Sequence, residues 1–114
     1  MFLALWEFDV KPGCEARFES VYGRKGSWAK LFRRDPHYRQ TILLRDPTRP
    51  RTYLTLDFWA NQKAFESFEA EHLREYLALD RECQALTARE RKVGSYETLP
   101  KHALGQALAV PSAQ

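Results

Sequence analysis

Two strand-like runs carry large apolar groups on both of their faces, and no other feature so restricts what this chain can fold into. From Phe2 to Val10, alternation puts Phe2, Ala4, Trp6, Phe8 and Val10 on one face, while Leu3 and Leu5 open the other before Glu7 and Asp9. From Thr52 to Trp59, Leu54, Leu56 and Phe58 fall on one side and Tyr53, Thr55, Asp57 and Trp59 on the other. A strand with one wet face reads apolar on one side only. Both runs therefore need cover above and below.

The segments between them alternate in type. Lys11-Pro12-Gly13 breaks the first strand, and Cys14, Phe18, Val21 and Tyr22 then recur at helical spacing up to Gly23. A second short helix is expected from Ser27, as N-cap, to about Arg34, with Trp28, Leu31 and Phe32 on one side and Asp35-Pro36 as its stop. Tyr38 to Arg45 reads as a strand in which Tyr38, Gln40, Ile42 and Leu44 oppose Arg39, Thr41, Leu43 and Arg45. Asp46-Pro47-Thr48-Arg49-Pro50 turns the chain into the Thr52 strand. Asn61 caps a helix bearing Phe65 and Phe68. A longer helix, roughly His72 to Glu90, is expected to bury Leu73, Tyr76, Leu77, Cys83 and Leu86, before a last strand from Val93 to Leu99.

The order is β-α-β-β-α-β, which predicts an α+β, ferredoxin-like domain: a four-stranded antiparallel sheet with helices on one face, spanning 1–99. With 114 residues there is room for one such core. The helices cover one face of the sheet, so the apolar groups on the other predict a homodimer packed sheet to sheet. The tail, 100–114, carries Ala103, Leu104, Ala107 and Leu108 as an apolar stripe and is expected to pack on the partner subunit.

Charge and cysteine usage narrow the class. Net charge is +3, with arginines gathered in the turns around residues 30–51, where they read as solvated turn charges and not as a nucleic-acid surface. No apolar run reaches the length of a membrane span, and the apolar start has no basic leader, so no membrane partner is expected. Cys14 and Cys83 stand in no metal-type spacing and read as free thiols in a reducing cytoplasm. No glycine-rich phosphate loop or Ser-His-Asp arrangement is present.

The opening strand ending in Val10-Lys11-Pro12-Gly13, then Phe18, then a strand closing on Trp59 and followed by Gln62, Ala64, Phe65 and Phe68 resembles the antibiotic biosynthesis monooxygenase family, the dimeric α+β barrels. The resemblance implies a homodimer acting on a small aromatic or hydrophobic ligand, with oxygenases that need no cofactor among its members. It implies a Trp at Trp59, an Asn where this chain has Thr55, and a Tyr where it has Phe65. Thr55 keeps a hydroxyl, whereas Phe65 has no proton to donate. Haem-degrading members imply an Asn where Trp6 stands and a His on the long helix. His72 is the ligand on offer, so haem is a minor alternative.

The candidate site is built from these positions. Trp6, Trp59 and Tyr76 are expected to shape a pocket between sheet and helices, with Thr55 and Phe65 beside them. His72 or Asp57 would accept a proton from a phenol, and the resulting electron-rich anion can react with O₂ directly. Each residue also has a plain structural reading: the rings as core filling, His72 as the first turn of a helix, and Asp57 as the partner of Arg33 or Arg34. His37 and His102 have no carboxylate at useful spacing. The alternative function is a ligand-binding or sensing dimer that keeps the fold without the catalysis.

Overall fold

The computed structural model describes residues 1–102. Four strands, β1 (Phe2–Val10), β2 (Tyr38–Arg45), β3 (Thr52–Trp59) and β4 (Thr87–Glu97), form one antiparallel sheet in the order β2-β3-β1-β4. Helices α1 (Glu15–Tyr22) and α2 (Ser27–Phe32) join β1 to β2. Helices α3 (Gln62–Glu71) and α4 (Leu73–Cys83) lead from β3 to β4, through a short 3-10 turn at Gln84–Leu86. The fold is the ferredoxin-like α+β arrangement read from the alternation of elements. The part of the expected tail from residue 103 onward lies outside the described residues.

One core joins the two layers. Phe2, Ala4, Phe8 and Val10 of β1 meet Tyr53 and Trp59 of β3, and over them lie Phe18 and Tyr22 of α1, Trp28 and Phe32 of α2, and Phe65 and Phe68 of α3. Aromatic rings dominate it, packing mostly tilted or edge to face, with centroids typically 5–6 Å apart. The sharp connections have local causes. Gly13 adopts φ +86°, a backbone region that L side chains rarely enter. At Gly26 a Cβ would sit 2.2 Å from the carbonyl oxygen of Val21, so only glycine lets α2 start this close to α1. Gly26 is therefore the N-cap of α2, and Ser27 is its first helical residue. Asn61 caps α3 as expected, its Oδ1 accepting from the Ala64 N–H at 2.8 Å.

Three expectations are corrected. The long helix does not run to Glu90, because α4 ends at Cys83 and β4 begins at Thr87. Ala88 to Lys92 has helical propensity, but in the sheet Arg91 stands opposite Glu7 and Arg89 opposite Asp9, with ion pairs of 2.8 and 3.0 Å. Cross-strand pairing overrides the local preference.

On α4, Leu73 and Leu77 point outward at 52% and 51% exposure, while Tyr76, Leu79 and Cys83 face the core. The helix is thus rotated from the face expected. In β2 a bulge at Arg39 breaks the alternation. Tyr38 lies opposite Trp59 and Gln40 opposite Phe58, so Tyr38, Thr41 and Leu43 share the face toward the helices.

The other face of the sheet keeps the apolar character read from the sequence. Leu5, Ile42, Leu54 and Leu56 are half-buried on it, and Leu44 and Tyr96 are exposed at 45% and 46%.

Candidate functional site

Between the sheet and the helices lies a cleft built around Asp57. Strand parity turns Tyr53, Thr55, Asp57 and Trp59 toward the helices. Asp57 is flanked there by Ala4 of β1 and Thr41 of β2. Ala4 is small and leaves space over the carboxylate. Trp6 and Phe8 of β1, Tyr22 of α1, Trp28 and Phe32 of α2 and Tyr76 of α4 form the aromatic walls. Thr41, Thr55, Asp57, Asp80 and Glu90 supply the polar groups. The empty space within the cleft, mouth included, is about 440 Å³.

A short hydrogen-bond chain fixes the carboxylate. The Thr41 hydroxyl donates to Asp57 Oδ1 at 2.7 Å. That commits the one hydroxyl proton of Thr41, so the Tyr38 hydroxyl, 2.7 Å away, donates to Thr41 Oγ1. The Arg39 bulge makes this possible by bringing Tyr38 and Thr41 to the same face. Asp57 is ringed by protein, yet a strip of it stays reachable by water through the cleft. Burial pushes its carboxyl up to about 6, and the Thr41 hydrogen bond offsets only part of that rise. Neither Arg33 nor Arg34 pairs with it. Arg34 bonds Glu75 at 3.0 Å and Arg33 bonds the carbonyl of Arg24.

The cleft gathers part of the expected site and leaves part outside. Trp6, Thr55, Asp57 and Tyr76 line it, with Trp6 directly opposite Thr55 across the β1–β3 pair. Trp59, Phe65 and His72 are not in its wall. Trp59 is fully buried behind Asp57, among Phe32, Tyr38, Phe65 and Phe68 at ring distances of 5.1–5.6 Å. Its Nε1 has no acceptor among the described residues. Phe65 packs on Phe2 and Trp59.

His72 sits at the junction of α3 and α4, stacked on Phe68 at 4.8 Å, with Glu75 at 3.9 Å. A haem ligand would have to face the cleft, and His72 instead stacks on Phe68 outside its wall, so these residues do not fit that group. Among the described residues no cluster of three His, Cys, Asp or Glu side chains could hold a metal ion.

Sequence reasoning missed several lining residues. Tyr22, Trp28 and Phe32 carried only a helical-core signal, which they also satisfy. Thr41 was assigned to the face opposite Tyr38, a consequence of the hidden bulge. Asp80 is hidden by the rotation of α4, and Glu90 by the overlong helix, since it lies on β4.

Fold and cleft together define a small α+β domain with an aromatic-walled cleft against one face of its sheet. The chain belongs to the antibiotic biosynthesis monooxygenase family, whose family model matches residues 1–79. Among solved structures it is similar to a candidate antibiotic biosynthesis monooxygenase from Deinococcus radiodurans, with 15% identity and a TM-score of 0.69 over 87% of this chain and 93% of that one. A second is a variant of SnoaB, a cofactor-independent oxygenase from Streptomyces nogalater, with 26% identity and a TM-score of 0.61 over 87% and 96%. A third is a candidate antibiotic biosynthesis monooxygenase from Bordetella bronchiseptica, with 20% identity and a TM-score of 0.62 over 86% and 96%. Comparison with curated protein sequences gives no match. No described helix is long and apolar enough to cross a membrane.

Proposed function

We propose that this protein is a cofactor-independent oxygenase acting on a small aromatic, phenol-bearing substrate, with Asp57 as the proton acceptor. The supporting observation is a carboxylate without a cationic partner among the described residues, at the base of an aromatic-walled cleft and poised at about 6. A base in that range is ionised at neutral pH yet still binds a proton well enough to take one from a phenol. The rings of Trp6 and Tyr76 hold the substrate flat over the sheet, and Thr55 offers a hydroxyl to its oxygen. Deprotonation leaves an electron-rich anion that gives its electrons to O₂ and forms a carbon–peroxide bond. Loss of water across the O–O bond then leaves a carbonyl, so CH₂ and O₂ become C=O and H₂O with the substrate as the sole reductant. Trp59 acts from behind, packing the strand that carries Asp57. The likeness to SnoaB, a cofactor-independent oxygenase, supports the same reading.

The test is O₂ uptake with a panel of polycyclic phenols, followed by ¹⁸O₂ labelling of the product. One labelled oxygen per turnover is expected, and Asp57→Asn should lower the rate by about 10²-fold or more. Equal rates in both proteins would overturn the assignment. Thr55 and Phe65, standing where the family's Asn and Tyr would, favour a second reading, a binding domain without turnover. Tight binding of a phenol with no O₂ consumed would establish that one instead. In either role we propose a homodimer, the apolar outer face of the sheet being its interface.

A further inference from the structure

Several acidic residues of this chain are held by arginines. Glu7 pairs with Arg91 and Arg49, Asp9 with Arg89, Asp46 with Arg49, and Glu75 with Arg34. The three that line the cleft, Asp57, Asp80 and Glu90, have no cationic partner, and among the described residues no Lys, Arg or His lines the cleft. Lysines and arginines outnumber acidic residues in the chain, 18 to 15, so cations were available and are absent from this place. Glu90 is opposite Phe8 on the sheet face that packs against the helices, a position where an apolar residue would serve folding better. Burial and the neighbouring Asp80 both hold the Glu90 carboxyl above its ordinary range. Burial is the main cause that raises the Tyr76 hydroxyl, and the negative charge of Glu69, then of Asp57, Asp80 and Glu90, adds to it. The remaining walls are aromatic faces, whose quadrupoles also attract positive charge.

We infer that the cleft selects a cationic aromatic ligand, a phenol-type ring carrying a protonated amine, and rejects carboxylated analogues. The ring stacks against Trp6 and Tyr76 while the ammonium group lies toward Asp80 and Glu90 and leaves Asp57 to the phenolic proton. This assignment rests on the proposed role of the cleft as substrate site and supplies its charge class.

Three probes with one ring separate charge from shape: 4-hydroxybenzylamine, 4-hydroxybenzyl alcohol and 4-hydroxybenzoate, titrated calorimetrically into the full-length protein at neutral pH. The amine should bind about 10-fold or more tightly than the alcohol, with the benzoate weakest. In Asp80→Asn/Glu90→Gln the amine-to-alcohol ratio should fall toward one. In the unmodified protein, added salt should weaken the amine more than the alcohol. Equal or tighter binding of the alcohol or benzoate would overturn the inference, as would a ratio that survives the double substitution or high salt, or no amine binding up to about 10 mM. Binding is read without turnover. A charge preference without O₂ uptake would therefore remove only the oxygenase, and O₂ uptake without a charge preference only this inference.

Discussion

Asp57 is where catalysis and stability pull in opposite directions. Its carboxyl stands at about 6 in the folded protein against an ordinary value of 3.8. Between those two pH values the folded state keeps a proton that the unfolded chain has already released. Stability therefore falls as pH rises from about 4 to about 6, and stays reduced above that. The effect at pH 8 is on the order of 2–3 kcal/mol. Asp57→Asn, which still accepts from Thr41, should thus raise the urea midpoint at pH 8 and make little difference at pH 3.5. A gain of the same size at both pH values would refute this account. In the unmodified protein, O₂ uptake should rise through about pH 6 as the carboxyl ionises. Parity in β3 made Asp57 visible in the sequence as a polar group on an aromatic face. Its partners were not visible, because Thr41 meets it only through the β2–β3 register and Tyr38 joins them only through the Arg39 bulge, which nothing local in Tyr38-Arg39-Gln40-Thr41 marks.

At the level of elements, legibility followed the range of the interactions that decide each one. The α3 start was readable because Asn61 and Ala64 are three residues apart and the cap is complete in itself. Asn61→Ala should accordingly cost about 1 kcal/mol of stability, measurable by thermal or urea unfolding, with Asn61→Gly costing less. β4 was readable only at its end. Its first half depends on Glu7 and Asp9, which lie 80 or more residues away in sequence and meet Arg91 and Arg89 only in the assembled sheet. The orientation of α4 was lost for a similar reason. Leu73 and Leu77 make as good an apolar stripe as Tyr76, Leu79 and Cys83, and tertiary packing chose the second.

For the whole molecule, the two-sided strands gave the architecture its strongest constraint, and Leu44 and Tyr96 stand exposed on the outer face. If that face is the dimer interface, Leu56→Arg at its centre should halve the mass found by light scattering at micromolar protein, while far-ultraviolet circular dichroism is retained. A monomeric unmodified protein would dispose of the interface. The strand order also sets a timetable for synthesis. Because β1 sits inside the sheet with β4 as its neighbour, the first strand made must wait for the last. A nascent chain released or stalled before residue 87 would leave that edge of Phe2 to Val10 unpaired. Products that stop before β4 should therefore be the ones that aggregate, and the sheet can close only once β4 has been made.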